Sequence, residues 1–153
     1  MKGRGYFAIG VVHGKCEANI GTLWRHATLY GASFIFTVGA RYRHQASDTQ
    51  DTWKHIPLFN FECFEDLHRH LPHSCPLVAV EMCDEAKELP DFTHEERACY
   101  LLGAEDHGLP KETLSKCHRK LIIPCPTDRS MNVAVAGTLV MYDRYLKIGR
   151  KVA

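Results

Sequence analysis

No apolar run in this chain approaches the ~18 to 20 residues needed to cross a bilayer; the longest candidates are residues 32–40 and 133–142. A membrane-spanning role is excluded. The start MKGRG runs through YFAIGVV into His13-Gly14-Lys15 without a small-residue cleavage site, so it reads as a first strand and not as a signal peptide. Paired cysteines are missing as well. The seven cysteines are odd in number, scattered, and never spaced as CxxC, which excludes a disulfide framework and a zinc ribbon and points to a reducing cytoplasm. Gly3 and Gly5 have no strand before them, so they do not open a dinucleotide fingerprint. Pro72 interrupts His68, His70, His73 and Cys75, whose spacing fits no ligand pattern, and no metal is expected. Linkers, repeats and low-complexity segments are absent too. At 153 residues and 17.4 kDa, a single domain over 1–153 is the expectation.

Net charge is only +1, but its distribution is uneven. Residues 1–45 carry Lys2, Arg4, Lys15, Arg25, Arg41 and Arg43 against Glu17 alone, and the C-terminus adds Arg144, Lys147, Arg150 and Lys151. If the two basic ends share a face, they attract a polyanion despite the neutral total; solvated surface charge is the plainer reading. Hydrophobic periodicity alternates strand and helix. Strands are expected at 6–12, 32–38, 77–80, 99–102 and 121–123, and helices at 19–30, 64–71, 110–117 and 131–147. In the last helix Met131, Val135, Leu139, Tyr142 and Leu146 form one stripe. The polar stretch 39–55 is a long loop, and such loops often carry function. This βα order predicts an α/β fold, a mostly parallel sheet flanked by helices on both faces with ligands at the carboxyl ends of its strands.

Three segments are candidates for chemistry. In Asn19-Ile20-Gly21-Thr22-Leu23-Trp24-Arg25, asparagine stands where a helix cap would stand and arginine falls between the apolar positions. Leu102-Gly103-Ala104-Glu105-Asp106-His107-Gly108-Leu109-Pro110 is a strand, a glycine-and-acid turn and a proline-started helix. In Ile123-Pro124-Cys125-Pro126-Thr127-Asp128-Arg129-Ser130-Met131-Asn132, two prolines stiffen a loop before Ser130, the expected cap of the last helix. Taken singly, each reads more plainly as a helix cap or a connecting loop than as a site.

In this order the three segments resemble the motifs of the SpoU/TrmH family of SPOUT RNA 2′-O-methyltransferases, and the resemblance covers residues 11–142. Gly103, Glu105, Gly108-Leu109-Pro110, Ile123-Pro124 and Arg129-Ser130-Met131-Asn132 look like the short TrmL-like members that consist of the catalytic domain alone, and Tyr142 matches a tyrosine of that subgroup. The first motif departs from the subgroup at Lys15-Cys16-Glu17-Ala18 and Thr22.

The resemblance implies a homodimer with a C-terminal deep trefoil knot. It also implies S-adenosyl-L-methionine as cofactor, bound around Val80, Gly103, Ile123, Ser130 and Met131 and leaving as S-adenosyl-L-homocysteine. Asn19, Arg25, Glu105, Ser130, Asn132 and Tyr142 would form the catalytic group, with Arg25 acting on the ribose 2′-hydroxyl. Arg25, Arg41, Arg43 and His44, together with the basic C-terminus, would contact RNA. The implied substrate is tRNA, at the wobble nucleotide in the short relatives. The alternatives are ribosomal RNA, a catalytically silent RNA-binding protein of the same fold, and a flavodoxin-like small-molecule binder.

Overall fold

A computed structural model describes residues 5–42 and 51–149. Seven strands form one sheet: β1 (Tyr6–Val12), β2 (Phe34–Val38), β3 (Leu58–Phe61), β4 (Leu77–Val80), β5 (Lys87–Glu88), β6 (Arg97–Leu102) and β7 (Arg119–Ile122). Their order is β3-β2-β1-β6-β4-β7-β5, and every pairing is parallel. The first three strands step outward in one direction and the later ones build the other half, so the switch in strand order lies mid-sheet, where open α/β sheets bind ligands.

Burial is nearly continuous along the central strands, as a sheet covered on both faces requires, and successive side chains alternate between two cores. Phe7, Ile9 and Val11 of β1, Val78 and Val80 of β4, and Tyr100 and Leu102 of β6 enter one core with α1 (Glu17–Leu29) and α4 (Val133–Arg144). Ala8, Val12, Leu77, Ala79, Cys99 and Leu101 enter the other, beneath α2 (Phe64–Arg69) and α3 (Lys111–Lys116). Gly137 lets α4 lie against α1, because a Cβ there would stand 2.5 Å from Leu23 Cδ1. All seven cysteines are unpaired.

Several expectations need correction. β3 lies beyond the 39–55 stretch, where no strand was expected, and the short β5 is followed directly by a 3₁₀ turn at Leu89–Asp91, in a stretch for which no strand was expected either. Asn19 does not cap α1; Cys16 holds that position without a side-chain cap, and Asn19 sits inside the first turn. Nor does Ser130 cap α4. Asn132 does, its Oδ1 accepting from the amides of Ala134 at 3.0 Å and Val135 at 3.2 Å. The α-helix then ends at Arg144 and continues as one π-helical turn, Tyr145–Gly149. Its expected apolar stripe faces outward, with Val135, Leu139, Tyr142 and Leu146 exposed.

Arg144 and Lys147 are also not a free cationic surface, and Arg150 and Lys151 lie outside the described residues. Arg144 is 6% exposed; its guanidinium donates to the carbonyls of Glu95 (2.5 Å) and Glu96 (2.7 Å) and to the Tyr100 hydroxyl (3.3 Å). Lys147 donates to the carbonyls of Leu89, Pro90 and Phe92 and pairs with Asp143 at 2.7 Å. Both pin the segment before β6 onto the end of α4.

His94 lies inside this network, with Nδ1 2.6 Å from the Tyr100 hydroxyl and Nε2 2.8 Å from Asp143 Oδ2. A neutral ring satisfies every partner: Nε2–H donates to Asp143, and Nδ1 accepts from Tyr100, whose oxygen accepts from Arg144. Burial pushes His94 below the ordinary imidazole value, outweighing Asp143, which pulls the other way. Burial also carries the Tyr100 phenol to about 12, so it remains a donor. For a depressed base, the unfolded chain takes up the proton first as pH falls. The stability that His94 contributes is therefore complete above its unfolded pKa of ~6.5 and is lost as pH falls from there toward the folded value. The urea midpoint should drop between pH 7 and pH 5, and His94→Gln should flatten that drop; an unchanged slope in the variant would place the acid sensitivity elsewhere.

Candidate active site

A cleft of about 280 Å³ opens at the carboxyl ends of β4, β6 and β7. Val80 enters it from β4, Gly103 and Glu105 from the loop after β6, and Ile123, Ser130 and Met131 from the stretch leading to α4. All five residues expected around the cofactor thus share one cavity, although they are scattered over some fifty positions of sequence.

Glycine backbone forms one wall. A Cβ on Gly103 would lie 2.4 Å from the carbonyl carbon of Gly108 and 2.6 Å from the amide nitrogen of Leu109. The loop closes that tightly through the Gly108 amide, which donates to the Ala104 carbonyl at 3.0 Å. Gly108 itself takes φ +62°, a left-handed conformation that suits glycine. Backbone exposed on one side and Leu102, Ile122, Ile123 and Met131 on the other make a partly apolar slot, which suits an adenosyl group and a thioether chain.

Next to the cleft, three expected catalytic residues form a hydrogen-bonded chain. Asn132 Nδ2 donates to Asn19 Oδ1 at 3.0 Å, and Asn19 Nδ2 donates to Glu105 Oε1 at 2.7 Å. The Lys15 amide donates to Glu105 Oε2 at 3.4 Å. The Lys15 ammonium pairs with Asp106, which raises the lysine pKa and lowers that of the aspartate. The chain ties the start of α4, the first turn of α1 and the loop after β6 into one unit. Both asparagines are oriented: Asn132 spends its carbonyl oxygen on the helix cap, so only its amide is left for Asn19, which then offers its own amide to the carboxylate.

This geometry separates capping from relay. Asn132→Asp keeps an oxygen for the cap but has no N–H for Asn19. Its thermal midpoint should stay near that of the wild type, whereas Asn132→Ala should cost about 1 kcal/mol of stability. Both should lower activity on the order of tenfold through loss of one polar contact in the relay. Wild-type turnover in the aspartate variant would show that the relay is dispensable.

Arg25 and Tyr142 are not brought to the cleft within one chain. Arg25 is exposed on the outer side of α1, and Tyr142 is exposed on α4 with its ring centroid 6.3 Å from that of Tyr30. Arg41 is exposed just before Tyr42, whose ring meets Trp24 edge-on at 5.8 Å. Arg43 and His44 lie outside the described residues. Among the described residues no group of three or more His, Cys, Asp or Glu could hold a metal ion. Two charged cleft residues were given no cofactor or catalytic role from sequence. Arg129, exposed at the mouth, belongs to the third motif, whereas Glu81 belongs to no motif and follows β4 directly.

A parallel sheet with a glycine-walled cleft at the carboxyl ends of β4, β6 and β7, beside the switch in strand order, defines an α/β protein with its candidate ligand site at the strand ends. Within that class the chain belongs to the SpoU rRNA Methylase family, whose model matches residues 7–142. It is 26% identical over 129 residues to the tRNA (guanosine(18)-2′-O)-methyltransferase of Escherichia coli, covering 82% of this chain and 56% of that enzyme. The chain thus spans about half the length of the curated relatives it matches. A solved structure concerned with the 2-OH methylation of C/U34 on tRNA superposes with a TM-score of 0.82 at 26% identity, over 95% of this chain and 99% of that one. The AdoMet-bound rRNA methyltransferase of Sinorhizobium meliloti shares the fold with a TM-score of 0.77 at 20% identity, over 97% of this chain and 59% of that one.

Proposed function

We propose that this chain is an S-adenosyl-L-methionine-dependent RNA 2′-O-methyltransferase that acts on tRNA, with the wobble ribose as its target. The observation that carries the proposal is the convergence of Val80, Gly103, Ile123, Ser130 and Met131 on one cleft beside the Asn132–Asn19–Glu105 chain. The tRNA assignment is favoured by coverage. The tRNA 2-OH methylation structure is matched over nearly its whole length, whereas the ribosomal RNA enzyme is matched over little more than half.

The cofactor supplies an electrophilic methyl group on a sulfonium leaving group. Transfer of that methyl group to the ribose oxygen would release S-adenosyl-L-homocysteine, and the 2′-hydroxyl would give its proton to water or phosphate. The chain's own task is placement. The backbone at Gly103 allows close approach, Glu105 holds the loop against α1, and Arg25, on the outer side of α1, would meet the ribose at a cleft only across the homodimer inferred below. Near-attack placement of this kind supplies about 7 kcal/mol or more in favourable cases.

Further parts of the proposal follow from family membership together with the exposed face. Leu29, Val135, Leu139, Tyr142, Leu146 and Ile148 leave an apolar surface on α1, α4 and the π turn. We infer that a second copy of the chain covers it in a homodimer, which brings Tyr142 into an interface. The C-terminal part is threaded as a trefoil knot in this reading. Among the described residues no helix is long and apolar enough to cross a membrane, and the unpaired thiols fit a cytoplasmic location.

The test is transfer of labelled methyl from S-adenosyl-L-methionine into RNA from cells lacking the protein, fractionated into tRNA and ribosomal RNA. Ribose-linked label in tRNA supports the proposal. Label confined to ribosomal RNA overturns the substrate, and cofactor binding without label in either fraction favours a silent RNA-binding role.

A further inference from the structure

We propose that Glu81 is a positioning residue for methyl transfer, its carboxylate clamping the loop that carries both the cofactor wall and Glu105. The proposal rests on the function proposed above. Glu81 stands where the cleft's three strands end together. Its amide donates to the Leu121 carbonyl of β7 at 3.0 Å. Its Oε2 accepts from the Leu109 amide at 2.7 Å, and its Oε1 accepts from the Met82 amide at 2.9 Å. Thus β4 is tied to β7 through the main chain and to the loop after β6 through the side chain. Gly108 lies flush against the carboxylate, since a Cβ there would stand 2.4 Å from Oε2. The missing side chain at Gly108 therefore serves two ends: it permits the left-handed turn and makes room for Glu81.

The chemistry of the clamp is specific. An ionised carboxylate only accepts hydrogen bonds, and both oxygens here face amide N–H groups. Glutamine has nearly the same shape but turns one acceptor into a donor, setting N–H against N–H at either Leu109 or Met82. The opposite side of the same loop is held by Glu105, which accepts from Asn19 and the Lys15 amide. Two carboxylates therefore fix one loop, Glu81 to the sheet and Glu105 to α1. Release at the Glu81 end moves the Gly103–Leu109 wall and displaces Glu105 from Asn19.

The test compares wild type, Glu81→Gln, Gly108→Ala and the double variant. S-adenosyl-L-methionine binding is followed by calorimetry, and KM for cofactor and for RNA is measured separately. Glu81→Gln should raise the cofactor Kd and KM about tenfold while leaving KM for RNA unchanged. Gly108→Ala strains the same contact from the other side, so the double variant should be little worse than the worse single one. Exchange of the Leu109 amide should quicken in Glu81→Gln. Wild-type cofactor Kd in Glu81→Gln, or a loss of folded protein with KM unchanged, overturns the positioning role. Absence of cofactor binding by the wild-type protein overturns the functional reading, and this role with it.

Discussion

Gly103→Ala should weaken S-adenosyl-L-methionine binding by about 30-fold or more, the equivalent of ~2 kcal/mol, while the protein stays folded. The atoms that a new methyl group would meet are backbone: the Gly108 carbonyl carbon at 2.4 Å, its Cα at 2.6 Å and the Leu109 nitrogen at 2.6 Å. A clash with a flexible side-chain tip is relieved by rotation about a bond. Here no rotamer helps, and the whole 104–109 turn must lift. That turn is anchored by the Gly108 amide on Ala104 and by Leu109 on Glu81, so the displacement is resisted on one side and enters the cleft on the other. Insertion of a methyl into close-packed surroundings typically costs ~1–3 kcal/mol, and here much of it should appear as lost affinity because the strained wall is the ligand's wall. Calorimetric titration of wild type and variant decides it. Binding within about threefold of wild type would mean that the turn yields without narrowing the site.

The elements that could be read from sequence are those whose burial leaves an apolar run or a helical period. β1, β2, β4 and β6 are apolar runs in a sheet covered on both faces, β7 shows only at its Leu121-Ile122 end, and α1 repeats Ile20, Leu23, Trp24 and Ala27 on its buried side. β3 escaped because it is an edge strand whose central Phe59 and Asn60 are exposed, and β5 is too short for any period. The caps were misplaced for a different reason. Ser130 and Asn132 are equally good cap residues, and the choice depends on where the loop with Pro124 and Pro126 delivers the backbone. Arg144 and Lys147 read as surface charge because their acceptors are main-chain carbonyls fifty residues away, which composition cannot reveal. A helical stripe shows which residues share a face, not what covers it. Ala134, Gly137, Val140 and Met141 meet the sheet side, and the more strongly apolar-looking stripe is left outside. For the site, only resemblance joined Val80, Gly103, Ile123 and Ser130. Glu81 had no motif to mark it, and its role rests on two backbone amides that exist only in the folded chain.

Arg25→Ala should reduce methyl transfer by roughly 10²- to 10³-fold, the loss typical of removing one donor to a developing oxyanion, with cofactor affinity and thermal stability close to wild type. The side chain is exposed on α1, and among the described residues none pairs with its guanidinium, so its removal leaves no buried group unsatisfied. It stands six residues beyond Asn19, about 9 Å along the helix axis at 1.5 Å per residue. Asn19 fixes the first turn of that helix to Glu105, but Arg25 lies on the outer side of α1 away from its own chain's cleft, so in this proposal it meets the ribose across the inferred homodimer. A guanidinium with pKa above ~12 does not accept the ribose proton. What it can do is donate two N–H groups in a fixed plane to the 2′-oxygen or an adjoining phosphate, lowering the hydroxyl pKa as charge builds. Lysine supplies the charge without the fork. Arg25→Lys should therefore stay within about tenfold of alanine, and its rate–pH profile should run parallel to that of wild type because no titrating base has been removed. Near-wild-type activity in the lysine variant would reduce the requirement to a point charge. A shifted profile would instead mean that the proton is taken by a group whose pKa Arg25 controls, which moves the search for the acceptor back to Glu105 and the substrate phosphate.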